Sequence, residues 1–391
     1  MSYKIKKRDL KFSIFIIAAF SFFSNINIVF NSKSLFAGVR FVILPLFAIT
    51  AALCITRKVK IYTVTVLIEL AYSMILLATL ISGRSIRNAI SVLLPAMAMM
   101  LLFNYGIERK EEVFLAVVRR MMLVFVLINA ITVVLAPNGL FYQDGPNWLF
   151  GLKNVHVRYI IPGIAIIIAV DIYKKGKLTL GDYALLGVGI INNLMVKSST
   201  GLAGMLLFSA LIISDNFRGK ISRKIIRKML DPAVIVLVSI VLYYFVLSGE
   251  NSILGTLVSK YFGKDLTFTG RSYVWARCLE LILQKPIFGY GYVNSDEFFS
   301  LIGVGIGAHP HNYLLAWLFY GGVFSLAFAA MAYFVLIKRA KKNTSVQARV
   351  YLWATISFFV MGVTDVGILS VLMHPMLLLC EYYSKNDRFR M

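Results

Sequence analysis

Long runs of apolar residues, separated by short polar segments, make up most of this chain. Each run has about 15 to 25 residues, close to the roughly 20 that an α-helix needs to cross about 30 Å of hydrocarbon. The runs predict helices at 11–31, 35–56, 61–82, 88–104, 117–136, 158–173, 179–196, 201–215, 232–248, 312–337, 350–365 and 367–383. This pattern predicts an all-α fold, a polytopic membrane helical bundle with about 12 transmembrane helices.

The longest polar segment, residues 249–311, interrupts this pattern between the ninth and tenth predicted helices. Inside it, the stretch between Arg271 and Pro286 has apolar residues at helical spacing, which predicts an amphipathic helix. The apolar face of this helix consists of Trp275, Cys278, Leu279 and Ile282. Such a helix lies either on the bilayer surface or on other helices. No linker marks off a second unit, so we interpret residues 1–391 as a single integral membrane domain that contains this loop.

Charge gives the predicted bundle a direction. The chain has 41 Lys and Arg residues against 18 Asp and Glu residues, a formal net charge of +23, in a sequence that is 59% hydrophobic. Most basic residues lie in the termini and in alternate polar segments, as the positive-inside rule produces. We therefore predict that both termini are cytoplasmic and that residues 249–311 are extracytoplasmic. The same clustering favours membrane lipids as partners and argues against nucleic acid.

Arg271 is the first candidate for chemistry, because the positive-inside rule gives no reason for an arginine in an outward loop. A guanidinium group matches phosphate oxygens with two parallel hydrogen bonds and stays charged at any working pH. Arg271 therefore suits a site for a diphosphate-linked lipid. The alternative is a lipid headgroup contact, or an ion pair with Asp265, Glu280 or Asp296. The same loop carries Lys260, Lys264 and Arg277, and for Arg277 we favour this alternative.

His311 opens the tenth predicted helix, two residues after His309. With an ordinary pKa of about 6.5, an imidazole beside a polar cleft can take a proton from a sugar hydroxyl at neutral pH. The alternative for either histidine is an amphipathic residue at the membrane boundary. A carboxylate is another candidate base, and those predicted near the outer side are Asp144, Asp296, Glu297 and Asp365. Glycoside hydrolysis is disfavoured, because it needs two carboxyl groups on either side of the glycosidic bond. Asp296 and Glu297 are adjacent in the chain, so their side chains would point apart in a helix.

The histidines and cysteines lack the spacing that holds a metal ion. His309 and His311 flank a proline, and no HExxH, CxxC or paired acidic motif accompanies them. We therefore predict no catalytic metal and no cofactor. Cys54 and Cys380 lie in apolar segments while Cys278 lies in the outward loop, which predicts no disulfide framework.

Three motifs occur in order between residues 270 and 315, namely GR-x3-W, P-x2-GYGY and HNYLL. Together they resemble the signature of the O-antigen polymerase and ligase family, integral membrane glycosyltransferases that act on lipid-linked glycans. Residues 151–154 (GLKN) are similar to the family's outward FG-x-x-N loop, and residues 197–201 (KSSTG) to a turn that usually reads Ser-Arg-Thr-Gly. Ser199 stands where that arginine is expected. The candidate replacements are Lys153, Arg158 and Lys197.

The resemblance implies a metal-independent inverting glycosyltransferase whose donor is a glycan on undecaprenyl diphosphate. Arg271 would hold the diphosphate, and His311 would be the base or would position the acceptor. The resemblance also implies substrate contacts by Lys153, Arg158, Lys197, Ser199, Trp275, Tyr290, Tyr292, Asn312 and Tyr313. For the 197–201 turn the alternative is a helix N-cap at Ser199 or Thr200, and for the aromatic residues it is anchoring at the membrane interface.

Two reactions share this machinery, in the bacterial cytoplasmic (inner) membrane with an extracytoplasmic active site. An O-antigen or capsule polymerase passes the glycan to a sugar hydroxyl of the next lipid-linked repeat unit, whereas a ligase passes it to lipid A core or another acceptor. We favour the polymerase, because nothing in the sequence signals a site for a second kind of acceptor. A polysaccharide transporter or flippase is the alternative of another class, but it should place charged residues near mid-membrane. A scaffold without catalysis is the last alternative.

Overall fold

The computed structural model of the protein describes residues 9–24, 33–142, 145–216, 271–303, 309–342, 345–362 and 370–385, together with single positions between 231 and 241. Several predicted features lie outside the described residues. They are most of the ninth helix at 232–248, the basic residues Lys260 and Lys264, and the carboxylates Asp144, Asp265 and Asp365.

Helices make up most of the described residues. They are α1 (Leu10–Phe23), α2 (Lys33–Thr56), α3 (Thr63–Ile81), α4 (Ile86–Leu135), α5 (Val157–Lys175), α6 (Leu180–Met195), α7 (Ser199–Asn216), α8 (Arg271–Gln284), α9 (Ser295–Ile302), α10 (Tyr313–Lys342), α11 (Val346–Gly362) and α12 (Met373–Lys385). Four of these are long and apolar enough to cross a membrane, namely α3, α4, α7 and α10 as far as Arg339. Leu10–Phe23 and Val42–Thr56 are shorter apolar helices. The protein is an integral membrane protein with an all-α core.

The 50-residue helix α4 is a hairpin rather than one rod. Lys110 has φ −153° and ψ 68°, outside the helical region. Phe103 and Phe114, on either side of it, have ring centroids 5.0 Å apart, whereas eleven residues of straight helix rise about 16 Å. Gly106 allows this return, because a Cβ there would overlap the Phe114 ring. The two legs correspond to the helices predicted at 88–104 and 117–136.

Helix α10 is also broken, and here the prediction of one uninterrupted helix at 312–337 is wrong. Gly322 has φ 67° and ψ −167°. The Tyr313 and Tyr333 rings lie 6.0 Å apart by their centroids, although twenty residues of straight helix rise about 30 Å. The residues Tyr313–Gly321 therefore turn back beside the second half of α10, and we call them the folded-back leg. The apolar period runs unbroken through Gly321 and Gly322, so periodicity alone did not reveal the break.

Most of the described ion pairs lie at one end of the bundle. Lys110 pairs with Asp9 at 2.5 Å, and Tyr62 donates to Glu108 at 2.5 Å. Glu381 accepts from the Val64 amide at 2.8 Å and pairs with Arg339 and Lys385. Further pairs join α4 to α5 (Arg119–Asp171) and α7 to α11 (Asp215–Arg349). We call this end of the bundle the basic end. It contains polar segments whose basic residues the positive-inside rule assigns to one side of the membrane.

The opposite end carries a small sheet that the sequence did not indicate. Its strands β1 (Phe141–Tyr142), β2 (Pro146–Trp148) and β3 (Gly151–Leu152) pair antiparallel in that order. The registers are Phe141 with Asn147 and Trp148 with Gly151. Trp148 donates its indole N–H to the carbonyl of Ala136 at 2.6 Å, which fastens the sheet to the end of α4.

The predicted amphipathic helix forms as α8, and it packs on other helices. Its Trp275 and Cys278 side chains are fully buried, and the helix contacts α9 and α10. Arg277 pairs with Glu280 at 2.6 Å, as its alternative interpretation predicted. On α9, Glu297 belongs to a capping box with Asn294 and also pairs with Arg84 at 3.1 Å. Cys54, Cys278 and Cys380 are buried free thiols.

Candidate functional site

The loop at residues 151–154 and the turn at 197–201 meet at the end opposite the basic end. The Ser198 hydroxyl donates to the Asn154 side chain at 3.1 Å and accepts from the Gly201 amide at 3.2 Å. Ser198 is therefore the residue that caps α7, and the prediction of Ser199 or Thr200 as N-cap is wrong. A helix N-terminus that opens beside basic side chains is a favourable place for an anion.

Three predicted substrate-binding residues lie on these two segments, and a fourth, Arg158, lies in the first turn of α5. Lys153, Lys197 and Ser199 are exposed, and Arg158 is half-buried one helical position into α5. Lys197 has a positive φ of 55°, which turns the chain sharply ahead of α7. We call Lys153, Arg158 and Lys197 the cation rim. The structure brings these three basic residues onto adjoining segments, although they are up to 44 positions apart in the chain.

A buried histidine that the sequence did not indicate, His156, contacts the 151–154 loop, which carries Lys153 of the cation rim. His156 Nε2 lies 3.0 Å from the Gly151 carbonyl oxygen, and Nδ1 lies 3.0 Å from the Asn192 side-chain oxygen. Asn129 contacts the same Nδ1 and accepts from the Phe150 amide at 3.1 Å. Burial lowers the pKa of His156, against the opposing effect of its bonds to Asn192 and Gly151. The only sequence signal was a polar residue at the start of an apolar run.

The P-x2-GYGY motif docks by its backbone on the break in α10. The Tyr290 amide donates to the Phe319 carbonyl at 2.7 Å, and the Gly291 amide donates to the Tyr320 carbonyl at 2.9 Å. A Cβ on Gly289 would meet the Phe319 carbonyl, and a Cβ on Gly291 would meet the backbone of Thr79. The motif glycines are thus required by close backbone approach as well as by their positive φ.

The aromatic residues of these motifs pack inside the protein. Trp275 is fully buried, and Tyr290 stacks on Phe319 with centroids 5.2 Å apart. Tyr292 is half-buried and stacks on Tyr320 at 6.2 Å. Stacking of a sugar on Trp275 or Tyr290 would require these elements to move apart. Of the Trp275, Tyr290 and Tyr292 rings, that of Tyr292 has the most exposed surface for contact with a ligand.

The loop at 309–311 stands at the start of the folded-back leg. His311 is half-buried, has a positive φ of 50°, and donates its backbone N–H to Nδ1 of His309 at 3.2 Å. The two imidazole centroids lie 4.0 Å apart. Asn312 is buried and caps the leg, since its side-chain oxygen accepts from the amides of Leu314 and Leu315. This cap fixes the direction in which the His311 backbone enters the helix.

The first residue of the leg is tied to a histidine from a distant helix. Tyr313 is buried, and its hydroxyl lies 3.1 Å from Nε2 of His374. The Tyr72 hydroxyl of α3 lies 2.9 Å from Nδ1 of the same His374 ring. The sequence placed His374 in an apolar helix and gave it no function. Tyr313 in this position contacts protein on all sides, as its 2% exposure shows.

The end of α11 contacts both α7 and the folded-back leg. Gly204, one turn into α7, lies directly against the Met361 side chain. The next residue, Gly362, lies against Tyr313, whose Cβ would be 2.9 Å from a Cβ at that glycine. The helix that follows the 197–201 turn and the helix that follows the 309–311 loop therefore contact the same end of α11. Arg271 begins α8, which packs on α10, and is half-buried.

The arrangement combines a group of cations, an imidazole and a capped helix start. Within the described residues, no three His, Cys, Asp or Glu side chains come together as a metal site. Glu69 in α3 has a buried carboxylate oxygen without a hydrogen-bond partner, whereas Asp182 is part of a capping box with Thr179. Basic groups and an imidazole at one place suit a phosphate-linked substrate that loses a proton during reaction.

A comparison with protein families gives the identity of this arrangement. The sequence model of the family described as O-antigen ligase matches residues 163–330. This match covers less than half of the chain, and it supports the O-antigen polymerase and ligase family. Neither a search of curated proteins nor a search of solved structures finds a match.

The match to residues 163–330 confirms the resemblance that the motifs indicated. The matched region begins inside α5 and ends inside α10, so it includes the KSSTG turn, the P-x2-GYGY motif and the HNYLL motif. Family members are glycosyltransferase-like ligases and polymerases. The match supports a role in surface polysaccharide assembly and implies substrates of the lipid-linked glycan class.

Proposed function

We propose that this protein is an O-antigen or capsule polymerase of the bacterial cytoplasmic (inner) membrane. It transfers a glycan from undecaprenyl diphosphate to a sugar hydroxyl of the next lipid-linked repeat unit at the outer face. The observation that supports this proposal best is that α7, which follows Lys197, and the folded-back leg, which follows His311, contact the same end of α11, within or beside the region that matches this family. The basic side chains at the basic end support a cytoplasmic location of both termini.

The proposed reaction is a single inverting displacement. His311 accepts the proton of the acceptor hydroxyl as its oxygen forms a bond to the anomeric carbon of the donor sugar. The bond from that carbon to the diphosphate oxygen breaks, and undecaprenyl diphosphate leaves with the electron pair. Negative charge grows on the leaving diphosphate, where Arg271 and the cation rim offset it. Lys153, Arg158 and Lys197 take the place of the arginine that is absent at Ser199.

Several predicted contacts keep a role in this proposal. Tyr292 offers a half-buried ring at the edge of the site, and Ser199 lies exposed in the first turn of α7. Trp275, Tyr290 and Asn312 act on the substrate through the segments they hold in place. No metal ion is part of the proposed step, because basic side chains supply the positive charge.

The ligase is the second candidate, since the matching family is described as O-antigen ligase. In that reaction the same donor and the same leaving group are used, and the acceptor is lipid A core or another acceptor. The two reactions differ only in which molecule supplies the attacking hydroxyl. We place the polymerase first because nothing in the sequence signals a site for a second kind of acceptor.

Purified protein in lipid nanodiscs, incubated with a lipid-linked repeat unit, tests the proposal. A ladder of products on a gel is expected from the wild type and is absent with Arg271→Ala or His311→Ala at equal protein level. Arg271→Lys should also fail if two-pronged contact to phosphate is required. Turnover only after addition of lipid A core identifies a ligase. Movement of the lipid-linked glycan across vesicles without any new glycosidic bond would overturn the enzyme and indicate a flippase.

A further inference from the structure

The folded-back leg of α10 leads directly into the residue proposed as base. Asn312 caps the leg and His311 precedes the cap, so the position of Tyr313 determines where the His311 backbone begins. The leg has nine residues and a rise of about 12 Å. Its start therefore lies inside the bundle, beside Tyr333, rather than at the surface where the sequence had placed it.

The far end of the leg is held by backbone contacts. Phe319 and Tyr320 accept hydrogen bonds from the P-x2-GYGY segment at 2.7 and 2.9 Å. The Val323 amide, just past the break, donates to the Pro286 carbonyl at 2.9 Å. These bonds fix the leg at Gly321 but leave its His311 end to other contacts.

The near end of the leg is held by His374 of α12. Its Nε2 lies 3.1 Å from the Tyr313 hydroxyl, and its Nδ1 lies 2.9 Å from the Tyr72 hydroxyl. The Tyr333 hydroxyl donates to that of Tyr313 at 3.4 Å, which leaves the Tyr313 proton for Nε2. The imidazole then donates Nδ1–H to Tyr72. Both ring nitrogens are thus engaged, one by α10 and the other by α3.

Packing around this imidazole leaves it no route to a substrate. His374 is 1% exposed, and the Trp317 ring of the leg lies between Tyr72 and Tyr313 with centroids 5.3 and 5.9 Å from theirs. A buried polar ring costs free energy unless its hydrogen bonds are made. An apolar side chain of similar size would fill the space at less cost, so the hydrogen bonds are the feature that distinguishes histidine here.

We propose that His374 is a positioning residue for the transfer reaction: through Tyr313 it holds the folded-back leg so that His311 faces the acceptor. This inference rests on the proposed function. Loss of the His374 contact frees the His311 end of the leg while the P-x2-GYGY contacts keep the other end in place. A base displaced by about 1 Å costs on the order of 100-fold in rate. The cation rim lies on other helices, so donor binding is not affected.

Kinetics of four variants in nanodiscs test this inference. His374→Phe removes both hydrogen bonds of the imidazole. Tyr313→Phe removes one of these together with the 3.4 Å bond from Tyr333, and it keeps the aromatic ring. Each should lower kcat at least tenfold and leave KM for the lipid-linked donor within about twofold. His374→Gln places an amide near the former Nε2 and should recover most of kcat. Tyr351→Phe is the matched control, because Tyr351 is also fully buried and its hydroxyl has no hydrogen-bond partner.

A double-mutant cycle with His311→Ala separates positioning from an independent contribution. If His374 acts through His311, the double variant His311→Ala/His374→Phe has the same residual rate as His311→Ala alone. A further loss equal to that of the single variant would show that the two residues act independently and would overturn the inference. So would wild-type kcat in Tyr313→Phe.

Failure of the proposed transferase function and failure of the proposed role of His374 give different results. If the protein is no glycan transferase, the wild type itself gives no product with either acceptor. If only the inference fails, the wild type is active, His311→Ala keeps only its residual rate and His374→Phe keeps the wild-type rate. Tyr313→Phe tests the same contact when His374→Phe does not fold.

Discussion

Lys197 occupies the turn where the family signature leads one to expect an arginine, two residues before Ser199. It is exposed, and the Ser198–Asn154 hydrogen bond brings its segment beside Lys153. If the cation rim replaces the absent guanidinium, Lys197→Ala should raise KM for the lipid-linked donor several-fold and leave kcat nearly unchanged, since it removes ground-state and transition-state binding alike. Steady-state kinetics against donor concentration measure this effect.

Lys177→Ala is the matched control for that variant, because Lys177 is an equally exposed lysine beside the basic end. It should leave KM at the wild-type value. A rise in KM of the same size in both variants would point to net charge rather than to the cation rim.

His156 leads to a pH dependence of stability. Its folded pKa lies below the ordinary value of 6.5, because burial disfavours the charged ring. Folding therefore favours the neutral form: this contribution is fully present above pH 6.5 and is lost as the pH falls below that value. We expect the melting temperature in detergent to fall between pH 7 and pH 5, and to fall less in His156→Gln. An identical pH slope in both proteins would contradict the assignment.

At the residue scale the sequence indicates candidate residues for chemistry, but it does not indicate the contacts that hold them in place. Arg271, Lys197 and His311 are recognisable from motifs, because charge and outward position are visible in a linear pattern. The supports of the site, His156 and His374, were missed, because a histidine inside an apolar run looks the same whether or not it has a partner. Those partners lie 36 and 302 positions away in the chain.

At the scale of an element, the break in α10 rests on Gly322. A Cβ at this position would overlap the Ile287 carbonyl, and its φ of +67° is unfavourable for other residues. We expect Gly322→Ala to destabilise the protein by several kcal/mol, because strain and overlap add. Thermal unfolding in detergent gives the measurement.

Gly83→Ala separates the two causes. Gly83 has a similar φ of +64° but no atom within 4 Å of the position that a Cβ would take. It should lose only the conformational term, about 1 kcal/mol. Equal losses in the two variants would mean that the contact between residues 287 and 322 contributes nothing.

Whether a helix exists was easier to predict than whether it is broken. The apolar runs at 61–82 and 201–215 correspond closely to α3 and α7, because about 20 apolar residues leave few alternatives. The hairpin in α4 and the break in α10 arise from contacts between residues far apart in the chain. The pair Gly321-Gly322 was the one local sign of a break, and glycines are common in membrane helices.

At the scale of the whole molecule, charge predicts that the basic end is cytoplasmic, and this direction stays a prediction. Introduced cysteines test that direction, since the three native cysteines are buried. A membrane-impermeant maleimide added to intact spheroplasts should label Lys197→Cys. It should label Lys177→Cys only after the membrane is opened. The reverse pattern would place the proposed site in the cytoplasm and end the assignment.

The folded-back leg also bears on the shape of the product. The residue proposed as base precedes the start of the leg, which lies about 12 Å from Gly321 along the helix axis. A sugar in the middle of a growing chain cannot reach that position without carrying both flanking sugars with it, whereas a terminal sugar can. We therefore expect a polymer in which every unit joins end to end, without side branches at this linkage, and methylation analysis of the purified polysaccharide would reveal any branch point.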